Sequence, residues 1–381
     1  MIAAWIRRSY RLAILLGLVL PVFGYAQTFT LLHSFNGTDG ATPWSGLIRD
    51  GKGNLYGTTA TGGAAASGTV FKLNPSGKIK VLYTFSGGLD GQYPYAALIR
   101  DSDGNLYGTT QDGGNSGDGT VFMVSSSGAK TILYSFTGND GAHPWSTLTR
   151  DQNGVLYGTT ANGGKSDEGA VFRLDMELNE SVLYSFADGK DGGFPYAGLV
   201  LDKKGNLYGT TVTGKNNAGT VFKLTTAQKF KVLHRFTEAG DGQNPYAGLL
   251  RGADGNFYGT TFQGGAFGFG SVFKLSPAGA ETVLYSFTGG MDGSGPFVGA
   301  LAQDAGGNLY GTTKQGGALN LGTVFKVDPT GNETVLHSFT GTTDDGAYPY
   351  GALLRDQAGN LYGTTVLGGS FDSGTIYKIT P

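Results

Sequence analysis

Asp101-Ser-Asp-Gly-Asn-Leu-Tyr-Gly-Thr-Thr110 decides how this chain is read, because near copies of it return six more times. The tyrosine recurs as Tyr56, Tyr107, Tyr157, Tyr208, Tyr258, Tyr310 and Tyr362, at spacings of 51, 50, 51, 50, 52 and 52 residues. A period of about fifty residues matches one four-stranded propeller blade. Asp-x-x-Gly-Asn is a tight hairpin signal, and the residues after it favour a strand. Around the quoted stretch, Ala96–Asp101 reads as strand a and Asn105–Thr110 as strand b. Thr120–Val124 reads as strand c and Lys130–Phe136 as strand d. A glycine-rich loop, Gln111–Gly119, joins b to c. After the first 26 residues no stretch shows a helical period.

Composition agrees with many short strands and tight turns. The 381 residues include 68 glycines but only 12 prolines, and 12% are aromatic. Disordered glycine-rich chains lack such aromatic content. Formal net charge is −2, with no long run of either sign, so a nucleic-acid partner is not expected. Cysteine is absent, which excludes disulfides, thiolate-bound zinc and thiol catalysis.

The N-terminus reads as an export signal. Arg7, Arg8 and Arg11 precede the apolar run Leu12–Leu20, and Gly24-Tyr-Ala26 supplies a small-x-small cleavage site. Cleavage is expected after Ala26, leaving residues 27–381 as one domain. A retained anchor fits less well, since the run is shorter than the ~20 residues of a spanning helix. No further apolar span follows, and a secreted or periplasmic location is expected. The next segment, Thr28–Phe35, matches strand d, and the last, Gly374–Ile379, matches strand c. The final repeat therefore lacks a d strand, and the N-terminus can supply one. This count predicts a closed seven-bladed β-propeller; an open stack would need polar end caps instead.

The phrase Asp-x-x-Gly-Asn-Leu-Tyr-Gly-Thr-Thr, followed by Gly-Gly and then Gly-Thr-Val-Phe-Lys-Leu, resembles the GloVer-type tandem repeat of exported bacterial proteins. The resemblance covers residues 28–381. It implies secreted propellers, often with a C-terminal anchor, and no established enzymatic activity. No such anchor is visible here.

Candidate binding residues lie in the long loops, which a propeller places on one face. The d–a loops share Asp-Gly-x-x-Pro-aromatic. Their aspartates are Asp39, Asp90, Asp140, Asp191, Asp241, Asp292 and Asp345. Their aromatics are Trp44, Tyr95, Trp145, Tyr196, Tyr246, Phe297 and Tyr350. One reading is a set of aromatic platforms beside carboxylates, suited to stacking on sugars and bonding their hydroxyls; several could engage one polymer with avidity. The other is repeated packing, in which Asp-Gly turns the chain and the aromatic fills a gap between blades. The b–c loops carry paired glycines, broken in the fourth repeat as Gly214-Lys215, and then variable tips. Among those tips, Phe267 and Phe269 stand out as an exposed apolar pair.

Catalytic residues are not assigned. His33, His234 and His337 take the strand-d place of Tyr83, Tyr134, Tyr184 and Tyr285, and His143 stands alone in a loop. No unique constellation of nucleophile and base breaks the repeat. The turn aspartates, such as Asp50 and Asp101, lack the oxygen-rich spacing of a calcium loop, and neither a metal nor a cofactor is expected. The sequence thus points to a non-enzymatic binding or scaffold module for carbohydrates or cell-surface proteins. A lyase or hydrolase acting on polysaccharides is the alternative.

Overall fold

The structure, a computed structural model, describes residues 27–187, 189–214, 217–237 and 240–380. The export segment and its cleavage point after Ala26 lie outside the described residues, as does Lys215. The described residues are all-β: seven four-stranded antiparallel sheets make a seven-bladed propeller. Blade 1 runs through a (Ile48–Arg49), b (Leu55–Thr59), c (Thr69–Leu73) and d (Ile79–Thr84). Blades 2 to 6 repeat this order.

Blade 7 closes the ring as the strand count requires. Leu354–Arg355, Leu361–Thr365 and Thr375–Thr380 are its own a, b and c strands, and Thr28–Ser34 is the fourth. The pairing is antiparallel, with Thr28 opposite Thr380 and Ser34 opposite Thr375. Both long edges of the seam are thereby satisfied.

Packing explains the repeated phrase. The leucine of strand b (Phe257 in blade 5), its glycine and its two threonines are buried in every blade. Gly57 is needed for space rather than for turning: a Cβ there would lie 2.7 Å from the Phe71 ring. The phenylalanine just after each d strand fills the wedge to the next blade. Phe85 meets Phe122 edge-on at 5.1 Å, and Phe35 meets Phe71 across the seam at 5.2 Å. Both Phe35 and Phe85 are fully buried, and a side chain of this kind contributes about 1.5–3 kcal/mol on burial. The repeated tyrosine lies over the blade junction, and its hydroxyl donates to the hairpin aspartate, as Tyr56 does to Asp50 at 3.0 Å.

Strand a is shorter than its sequence suggested. In blade 2 only Ile99–Arg100 pair with strand b, although Ala96–Asp101 reads as one strand. The preceding segment is held sideways by the neighbouring blade. The first threonine of the Thr-Thr pair typically donates to a carbonyl of the next blade's inner segment: Thr58 to Ala96, Thr210 to Ala247, Thr364 to Ser45. Six of the seven threonines make this bond. Thr260 is buried without a partner. It faces blade 6, where Pro296-Phe-Val-Gly-Ala-Leu301 carries one residue more between proline and leucine than the other repeats.

Candidate axial binding site

The seven-fold frame brings seven side chains to one place. Each chain crosses from the rim toward the axis through the d–a loop. The residue before the proline adopts left-handed backbone, for example Tyr93 (φ 57°) and Phe194 (φ 52°). Six of these seven residues are not glycine, so the fold imposes a conformation that costs energy in each of those blades. The aromatic two positions later then points along the axis.

The result is a closed cluster. Going round the ring, Trp44–Tyr95 ring centroids are 5.0 Å apart, Tyr95–Trp145 4.4 Å, Trp145–Tyr196 5.4 Å and Tyr196–Tyr246 5.5 Å. Tyr246–Phe297 are 4.9 Å apart, Phe297–Tyr350 5.3 Å and Trp44–Tyr350 4.7 Å. Trp44 also reaches across the centre to Trp145 at 5.9 Å and Phe297 at 6.2 Å. All seven are half-buried. Burial pushes the Tyr196 hydroxyl pKa up, and the neighbouring Tyr246 adds to the shift.

An apolar cavity of about 360 Å³ adjoins four of the seven aromatics, Trp44, Tyr95, Trp145 and Tyr196, and continues along the inner segments past Gly46, Ala97, Thr147, Gly198 and Ile99. Its walls are small of necessity: a Cβ on Gly46 would lie 2.8 Å from the Ala352 carbonyl oxygen. The aromatics are therefore one composite surface, not seven separate platforms. They meet because the inner segments converge at the small radius of the ring.

The loop aspartates serve elsewhere. Each accepts a hydrogen bond from the tyrosine or histidine of its own strand d. Tyr83 donates to Asp90 at 2.7 Å, Tyr184 to Asp191 and Tyr285 to Asp292 at 2.8 Å each, and Tyr134 to Asp140. His33, His234 and His337 bond Asp39, Asp241 and Asp345 in the same way. The three histidines are thus structural equivalents of tyrosine, as their position in the repeat suggested. Burial lowers the His234 pKa, against the opposing pull of Asp241. Phe267 and Phe269 are exposed, at 58% and 44%, on the tip of the blade 5 b–c loop. The paired glycines let that loop approach the d–a loop: a Cβ on Gly264 would lie 2.7 Å from the Gly242 Cα.

Two sets of residues beside the cluster carry no signal in a motif search. One is the left-handed position before the proline, which varies from Thr42 through Tyr93, His143, Phe194 and Asn244 to Tyr348. The other follows the Thr-Thr pair and includes Phe262, 5.6 Å from Tyr246 and 5.4 Å from Phe297, and Lys314. A column that varies inside a fixed frame is the signal that could have found them. His143 is not alone: its Nδ1 lies 3.0 Å from an Asp112 carboxylate oxygen. Among the described residues no group of three or more histidine, aspartate or glutamate side chains could hold a metal ion. No helix among them is long and apolar enough to cross a membrane.

Comparison with known proteins supports the architecture. A family described as the Gloeobacter/Verrucomicrobia repeat matches residues 21–218 and 202–381. No curated protein matches the chain. Among solved structures, virginiamycin B lyase from Staphylococcus aureus is similar at 14% identity and a TM-score of 0.60, covering 93% of this chain and 99% of that one. The extracellular domain of a putative hybrid two-component system from B. thetaiotaomicron is similar at 11% identity and a TM-score of 0.62. That match covers 92% of this chain and 39% of the other. At these identities the likeness is one of fold.

Proposed function

The chain belongs to the Gloeobacter/Verrucomicrobia repeat family, and on that premise we propose that it is an exported, non-catalytic propeller that binds carbohydrate at its axial aromatic cluster. One observation carries the reading: seven half-buried aromatic rings, one per blade, meet on the axis beside an apolar cavity. Sugar rings stack through their C–H faces on such surfaces, and the surrounding loop backbone offers polar groups to hydroxyls. Export is supported by the basic and apolar segment before Ala26. The loop tip with Phe267 and Phe269 extends the same face, and its exposed rings suit a second contact on a long glycan or a cell-surface protein.

A single stacking contact is weak, with a dissociation constant of about 1 mM, or about −4 kcal/mol. Trp44 and Trp145 present the largest faces, and each aromatic contact contributes about 0.5–1.5 kcal/mol beyond its area. Trp44→Ala and Trp145→Ala are expected to lower polysaccharide binding by about three- to tenfold each while the strands persist. A glycan array followed by titration calorimetry tests this. Variants that fold and keep full binding would reduce the cluster to packing; a wild-type protein that binds nothing on the array would end the carbohydrate reading.

A further inference from the structure

We propose that the axial site takes an acidic sugar, a uronate-type residue, with its carboxylate on Lys314. This deepens the carbohydrate reading and rests on it. Lys314 follows the Thr-Thr pair of blade 6, where five of the other six blades carry an apolar residue and one carries Gln111. Its backbone N–H donates to the Gly295 carbonyl at 3.1 Å, which fixes the side chain over the cluster. The ammonium lies 5.2 Å from the centre of the Phe297 ring, 5.3 Å from Tyr350 and 5.9 Å from Phe262.

Among the described residues no carboxylate reaches ion-pair distance of this ammonium. Lys130 shows the contrast: its ammonium is bound to Asp90 at 2.7 Å and almost sealed from solvent. Lys314 is half-buried on apolar rings, so its N–H donors are partly dehydrated and not spent on a protein acceptor. Cation–π attraction holds it there without neutralising it. Asp112, also on this face, is occupied by His143.

A bare phosphate or sulfate would meet the charge and gain nothing from the rings. A neutral sugar would stack and leave the charge unanswered. A pyranose carrying a carboxylate at its ring edge satisfies both at once: its C–H face lies on Phe297 and Tyr350 while the carboxylate accepts from Lys314.

The test is calorimetry with a galacturonate trimer and the same trimer reduced to its neutral galactose form. The wild type is expected to prefer the acidic trimer by about ten- to a hundredfold, the effect of one charge-assisted hydrogen bond. Lys314→Met should erase the preference while leaving the affinity for the neutral trimer intact. Lys314→Arg should keep it. Lys52→Met, in a hairpin turn on the opposite face, should change nothing. Equal binding of both trimers by the wild type, or a preference that survives Lys314→Met, overturns the inference and leaves the carbohydrate reading standing. Binding of neutral glycans on the array with no binding of either trimer has the same meaning. An array with no binding at all overturns both.

Discussion

Deleting Thr28–Phe35 is expected to unfold the propeller rather than weaken one blade. The segment supplies the outer strand of blade 7, with Phe29 opposite Ile379 and Ser34 opposite Thr375. Phe29 stacks on His337 at 4.1 Å and on Tyr377 at 5.7 Å, so it ties blade 7 to blade 6. Phe35 is fully buried against Phe71 of blade 1. Losing one such phenylalanine by truncation costs about 3–5 kcal/mol. Losing both, with a strand's worth of hydrogen bonds, approaches the about 5–15 kcal/mol that holds a whole domain together. The remaining c strand would also be a bare edge prone to pairing with other chains. Circular dichroism and size-exclusion chromatography should show lost strand signal or aggregates. A truncated protein that melts with its parent would refute closure of the ring.

Raising the pH from about 5 to about 8 is expected to destabilise the protein, by about 3–6 kcal/mol from three glutamates together. Glu180, Glu281 and Glu333 open the d strands of blades 3, 5 and 6. Each is pushed up to about 7, first by burial and then by the charge of an aspartate on the preceding blade: Asp140, Asp241 and Asp292 respectively. In each the Oε1 atom is buried without a partner. The folded state therefore holds these protons up to about pH 7, whereas the unfolded chain releases them near 4.5. Between those values the native state binds more protons, so stability falls as pH rises and stops falling above about 7. Asp50 acts in a different window: hydrogen bonds from Asn54, from the backbone and from Tyr56 outweigh its desolvation and hold it at about 2, so its contribution is lost only as pH falls below its ordinary 3.8. Melting curves at both pH values check the claim, and the triple Glu→Gln variant should lose most of the dependence. A wild-type melting temperature that rises from pH 5 to pH 8 would sink it.

Blade number, closure and the limits of strands b, c and d were legible, because each follows from counting a repeat; the short strand a was not. Strands b, c and d of blade 2 fall within one residue of their expected bounds. Radius was not legible. Nothing in Pro94-Tyr95 says that its side chain will meet six counterparts on the axis, since that depends on how seven copies close. The same limit hid the partners of the loop aspartates: Asp-Gly announced a turn, but the bond to Tyr83 comes from strand d curling over the loop. Neighbours on adjacent blades are about 40 residues apart, as Glu180 and Asp140 are, and leave no local pattern. Departures from the repeat were readable in principle. The extra residue after Pro296, which strands the Thr260 hydroxyl, shows as a change of spacing, and Lys314 shows as one charge in an uncharged column.

The crossing of Trp44 and Trp145 on the axis, at 5.9 Å and 83°, has an optical consequence. The described residues contain no other tryptophan. Two indoles this close couple their excited states, and Tyr95, stacked on Trp145 at 4.4 Å, can pass absorbed energy to them. Tryptophan emission from the propeller is therefore emission from its centre. A molecule settling on the axis will alter that light, while one bound only at the outer rim will leave it unchanged, so the fold contains its own local probe of occupancy.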